Sequence, residues 1–251
     1  QIGLAFMLSL LIGPTIASIA GLSGIFWSIA LLSVISLTIV ASLPHTKPIN
    51  YYRLSIEEFK KILNPKLLRL DFSGFILHLM LASAFIVMPL LLVENNIINI
   101  ADNWKLYLPA MMMSFVGMIP LIILAEKLQK TKLILLISIA LLIISQLLFY
   151  ELKLNFNIFL IVLSLFFVAF NTIEAILPSL LSRTASSSKR GLAMGVFSTS
   201  QFLGTFFGGA IGGLIYDIFS LNSVFLFTIF MAIIWWLVML TLPQNDNKAE
   251  K

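Results

Sequence analysis

Between Arg190 and Asp217 stand twenty-six residues without a charge. Together with 1–20, 24–43, 68–93, 104–125, 132–150, 156–182 and 220–242, the stretch 191–216 makes eight uncharged or nearly uncharged runs. A helix needs roughly 20 apolar residues to cross a bilayer, and each run is close to that length. In lipid every backbone N–H and C=O must be satisfied within the protein, which leaves helices and closed barrels. Barrel spans alternate in polarity over about ten residues, and these runs do not. The expectation is an all-α, polytopic membrane protein with eight transmembrane helices. Gly21-Leu-Ser-Gly24 separates the first two runs and suits a tight helical hairpin.

The chain is 60% hydrophobic and 11% charged, which a soluble domain of 251 residues does not match. It has no cysteine, so disulfides and thiolate metal sites are excluded. His45 and His78 are the only histidines, and no metal-ligand spacing or phosphate-cradling loop is present. No metal, cofactor, enzyme activity or ATP-driven pumping is expected. The net charge of +5 lies in short loops between apolar runs, so lipid rather than nucleic acid accounts for it.

Those loops also predict orientation. Lys47, Arg53, Lys60, Lys61, Lys66 and Arg69 fall in one loop; Lys127, Lys130 and Lys132, then Arg183, Lys189 and Arg190, fall in later loops on the same side. With Lys248 and Lys251 that side holds 14 of the 16 basic residues. Positive charge stays in the cytoplasm, so both ends of the chain are expected there. The expected divisions are a helix pair at 1–43, a linker at 44–67, a six-helix bundle at 68–243 and a tail at 244–251. In the linker, Ser55-Ile-Glu-Glu58 fits a capping box, and Leu54, Phe59, Ile62 and Leu63 could form the apolar face of a surface helix. Asn64-Pro65 would end it and start the next. A merely solvated linker is the alternative.

Glu174 is the leading candidate for chemistry. It follows 20 uncharged residues and precedes Arg183 by nine, about 13 Å along a helix at ~1.5 Å per residue. An ionised carboxylate at such a depth costs on the order of 3 kcal/mol. It must pair, face water or hold a proton. Asn171, one turn earlier, is a candidate partner; a purely structural, neutralised carboxyl is the other reading. Pro178 withdraws the N–H that the Glu174 carbonyl would accept, so a kink is expected there. Asp71 and His78, seven apart, share one helix face; Asp71 is expected at the interface and His78 about two turns deeper. His78 could relay protons or be a neutral core histidine. Gln146 and Gln201 read as bridges between helices. Met111, Met112, Met113 and Met118 give the fourth run a soft face, suited to apolar ligands or to filling gaps.

Gly204, Gly208 and Gly212 form a bare stripe at i, i+4, i+8, which allows another helix to approach to backbone contact. They belong to Gly195-x8-Gly204-x3-Gly208-Gly209-x2-Gly212-Gly213. A weakened copy, Ser9-x3-Gly13-Pro14-x2-Ala17-Ser18, lies in the first run. This pair of motifs resembles the G-x8-G-x3-G-P-x2-G-G signature of the drug:proton antiporter branch of the major facilitator superfamily, with Gly209 in place of the proline. Two helices, a basic linker and six helices resemble that family from its fifth helix onward. The stretches 67–89, 166–183 and 191–204 are similar to YajR-type bacterial inner-membrane transporters. Glu126-Lys127-Leu-Gln-Lys130 resembles a degraded D-R-x-G-R loop motif.

The resemblance implies helices five to twelve of a twelve-helix fold, with four more expected before Gln1. It implies a monomeric secondary transporter of the bacterial inner membrane, exchanging protons for small apolar or amphipathic molecules. A facilitator for a sugar or nucleoside, and a non-transporting fragment or structural subunit, are the alternatives.

Overall fold

The computed structural model describes residues 2–43, 64–98, 102–152 and 155–243. The expected linker helix falls mostly within 44–63, and the tail within 244–251, both outside the described residues. All regular structure among the described residues is helical. The helices are α1 (Ile2–Ala41), α2 (Pro65–Glu94), α3 (Trp104–Lys127), α4 (Thr131–Glu151), α5 (Phe156–Thr184), α6 (Arg190–Ile218) and α7 (Leu221–Leu240). A 3₁₀ turn, Ser187–Lys189, precedes α6. Among the described residues, six segments are long and apolar enough to cross a membrane: Thr15–Ala41 and α2, α3, α4, α5 and α7. α6 is not among them, because its glycines, hydroxyls and Gln201 lower its hydropathy. Its Gly204, Gly208 and Gly212 are buried, a stripe that suits contact with another helix.

The chain divides into two compact units, Gln1–Ile56 and Glu57–Lys251. In the first, α1 is interrupted at Gly21, whose φ of 63° and ψ of −165° are not helical. Glycine adopts that left-handed φ without the Cβ penalty. A Cβ placed on Gly24 would lie 3.6 Å from the Ile16 carbonyl oxygen. In an unbroken helix eight residues advance about 12 Å, so the chain turns sharply at Gly21. Trp27, Leu22 and Ile19 are exposed on this unit, as lipid-facing side chains would be.

In the second unit, α2 packs most extensively on α6 and also on α7; α5 packs on α3 and α4, and α4 on α7. Phe149 of α4 joins this core through Phe159 of α5 and Phe225 of α7, with ring centroids 5.1 and 5.7 Å away. Trp235 is fully buried at mid-helix, and its indole N–H donates to Ser73 Oγ on α2 at 2.9 Å. That buried acceptor explains a tryptophan far from an interface belt. Gln146 is also fully buried, but neither of its polar atoms has a partner among the described residues, so it does not form the expected bridge.

Helix starts follow local chemistry. Asn64 caps α2: its Oδ1 accepts from Lys66 N at 2.9 Å and Leu67 N at 3.0 Å, with Pro65 following. Asn155 Oδ1 accepts from Ile158 N at 3.0 Å at the start of α5. Asn64→Ala should lower stability by about 1 kcal/mol, read as a lower melting temperature of the purified chain. Asn64→Asp should restore it, and equal melting of Asn64→Ala and the parent would show that the cap contributes nothing.

Candidate functional site: a carboxylate shared by three helices

Glu174 projects from α5 toward α2 and α6. Gln201 of α6 donates from Nε2 to Glu174 Oε1 at 3.2 Å and Oε2 at 3.3 Å. His78 Nε2 of α2 lies 3.9 Å from Glu174 Oε2. The Glu174 and His78 side chains keep exposures of only 13% and 15%, so the pair is largely withdrawn from the surface. Phe170, one turn before Glu174, presents its ring edge-on to His78 at 6.0 Å.

Gly74 makes this cluster possible. Its carbonyl lies 3.0 Å from His78 Nδ1. A carbonyl only accepts, so Nδ1 carries a hydrogen and Nε2 is the atom turned toward Glu174. A Cβ on Gly74 would meet Phe197 Cε2 at 2.8 Å and Gln201 Cγ at 3.3 Å. The bare position therefore admits the Phe197 ring, with the Gln201 side chain packed beside it.

The proton count follows from this geometry. With neither facing atom protonated, a nitrogen lone pair would oppose a carboxylate oxygen. One proton on either partner removes that opposition. The separation exceeds the 2.7–2.9 Å of a charge-assisted hydrogen bond, so a small approach of α5 toward α2 would close it. The Gln201 amide can donate to the carboxylate without competing for the proton.

The other candidates lie elsewhere. Asn171 is buried and donates from Nδ2 to Ser114 Oγ of α3 at 2.8 Å, so it does not partner Glu174. Asp71 is buried, and neither carboxylate oxygen has a partner among the described residues. Burial arises because α2 turns that face toward the bundle. Pro178 lies within α5, which continues to Thr184. Met111 is buried, whereas Met112 and Met113 are exposed.

The seven motif glycines divide by face. A Cβ on Gly204 would collide with the Phe75 carbonyl oxygen of α2, and one on Gly208 with the Leu79 carbonyl oxygen. On Gly212 it would lie 3.2 Å from Ser83 Cα. The pairs 204/75, 208/79 and 212/83 advance together, so α2 and α6 run parallel at backbone contact. Ser83 Oγ donates to Gly208 O at 2.9 Å across the seam. By contrast, Cβ atoms on Gly13, Gly195 and Gly209 would meet nothing within 4 Å, and one on Gly213 only Ile86 Cδ1 at 3.9 Å. Pro14 lies within α1.

Residues 70–251 match the profile of the Major Facilitator Superfamily. The chain belongs to that superfamily. It is 36% identical over 247 residues to the inner membrane transport protein YajR of Escherichia coli K12, an alignment covering 96% of this chain and 54% of YajR. It is 34% identical over 217 residues to an uncharacterized transporter of Buchnera aphidicola subsp. Acyrthosiphon pisum, covering 82% of this chain and 55% of that one. An uncharacterized transporter of Buchnera aphidicola subsp. Baizongia pistaciae is 29% identical, over 94% of this chain and 61% of its own. The chain thus spans little more than half the length of these superfamily relatives.

Gln201 and Gly74 extend the cluster beyond the sequence candidates. Gln201 was legible as a lone amide in an uncharged run, but its partner was not. Gly74 carried no signal apart from its position one turn before His78.

Proposed function

We propose that this chain contributes helices five to twelve to a monomeric secondary active transporter of the bacterial inner membrane, which is not an enzyme. Protons entering the cell drive the export of small apolar or amphipathic molecules. All eight segments cross the bilayer, α1 as two of them, and both ends of the chain lie in the cytoplasm. The divisions at 1–43, 44–67, 68–243 and 244–251 separate the helix pair, linker, bundle and tail. In support stand superfamily membership, the basic bias of one set of loops and the transport role named for YajR.

One observation carries the coupling mechanism: a carboxylate, an imidazole and an amide from three helices converge inside the apolar bundle. Glu174 takes up and releases the transported proton, and His78 is its exchange partner. Gln201 holds the carboxylate between these events. Asn171 and Asp71 border the path, and Pro178 loosens α5 beside Glu174. The glycine seam keeps α2 and α6 together while α5 changes its approach.

The test is flux of a lipophilic dye through the full-length protein in proteoliposomes, with and without an imposed pH gradient. Faster flux under the gradient, reversed when the gradient is inverted, is expected. Flux indifferent to the gradient would remove proton coupling from this reading while leaving transport itself standing.

A further inference from the structure

The second unit carries a separate cavity at the end where α2 begins and α3, α5 and α7 finish. Its volume is about 430 Å³. Lys66, Lys130, Lys132 and Arg183 line it, with Glu126 as the single acidic residue. Four cations against one carboxylate give it a surplus of three positive charges. None of the four forms an ion pair among the described residues. Lys132 Nζ donates instead to Leu240 O at the end of α7, at 2.7 Å. Arg183 Nε donates to Ser179 O at 3.4 Å. Lys66 and Lys130 are exposed.

The remaining wall includes Leu133 and Leu136. Leu133 is 49% exposed on the outside of α4. The cavity therefore joins a cationic recess to the apolar, lipid-facing surface of one helix. It involves none of the Glu174 cluster.

We infer that this cavity binds a phosphate anion, with the phosphate of an anionic phospholipid seated among Lys66, Lys130, Lys132 and Arg183 and its acyl chains along Leu133. Ammonium groups without carboxylate partners favour an anion, and a guanidinium provides a planar donor pair for phosphate oxygens. Basic recesses between helices at a membrane surface commonly hold lipid head groups. A free phosphate would satisfy the same cations but would make no use of the apolar wall.

The test is native mass spectrometry of the full chain in detergent, titrated with phosphatidylglycerol, phosphatidylcholine or inorganic phosphate. Phosphatidylglycerol should be retained in preference to phosphatidylcholine. The double variant Lys130→Gln/Arg183→Gln should weaken its retention about 25-fold, from roughly fivefold for each basic residue near a membrane surface. The charge-conserving pair Lys130→Arg/Arg183→Lys should keep most of it, separating charge from folding. Lys127→Gln/Lys189→Gln removes the same charge from residues outside the cavity and should change retention little. Competition by millimolar inorganic phosphate would assign the site to free phosphate; no competition assigns it to the lipid. Equal retention of the two lipids, or equal loss in both double glutamine variants, overturns the proposal.

Discussion

Glu174→Gln should reduce pH-gradient-driven flux through the full-length protein to the level seen without a gradient. Proton coupling requires a group that is charged in one state and neutral in another, with different consequences for substrate in each. Glutamine keeps the size of the side chain and remains neutral throughout. Its carbonyl can still accept from Gln201 Nε2, so the bond between α5 and α6 need not be lost. Insertion and melting temperature should therefore stay near those of the parent, while dye flux in proteoliposomes ceases to respond to the gradient. A mutant that kept the parental response would falsify the assignment of Glu174 as the coupling site and return it to a structural role.

Gly208→Leu should sharply destabilise the seam between α2 and α6. The new Cβ would overlap the Leu79 carbonyl oxygen and stand 2.7 Å from Leu79 Cα. Backbone cannot yield as a flexible side chain does, so α2 and α6 must separate. Forced overpacking costs about 1–3 kcal/mol, and loss of the Ser83–Gly208 bond adds roughly 0.6 kcal/mol. A sharp fall in melting temperature and in the yield of folded protein is expected. Gly209→Leu is the contrast, because its Cβ enters open space in the chain described here. Equal destabilisation by both would mean that close approach at Gly208 does not govern packing.

Particular residues show why some features were legible in the sequence and others were not. The helices and Glu174 stood out because a charge within an apolar run is costly wherever the chain goes. The Asn64 cap was equally local. Partners were harder to identify. Three residues on a helix turn about 300°, leaving Asn171 some 60° from Glu174. That offset takes Asn171 to Ser114 of α3, while Glu174 faces α6. Asp71 and His78 share a face, but about 10 Å of helix separates them, and His78 is the one beside Glu174. The Glu174–Gln201 bond joins residues 27 apart in sequence, so it required the packing of α5 against α6 to be known.

The parallel seam between α2 and α6 has a mechanical consequence. Two rods touching at three successive turns and pinned by a hydroxyl behave as a single plank. His78 rides on one rod and Gln201 on the other, while Glu174 belongs to a neighbour outside the plank. Sliding or tilting that neighbour changes both distances from Glu174 together. The carboxylate thus meets a two-toothed jaw whose teeth, His78 and Gln201, are carried on one plank, so both contacts shift together when α5 moves.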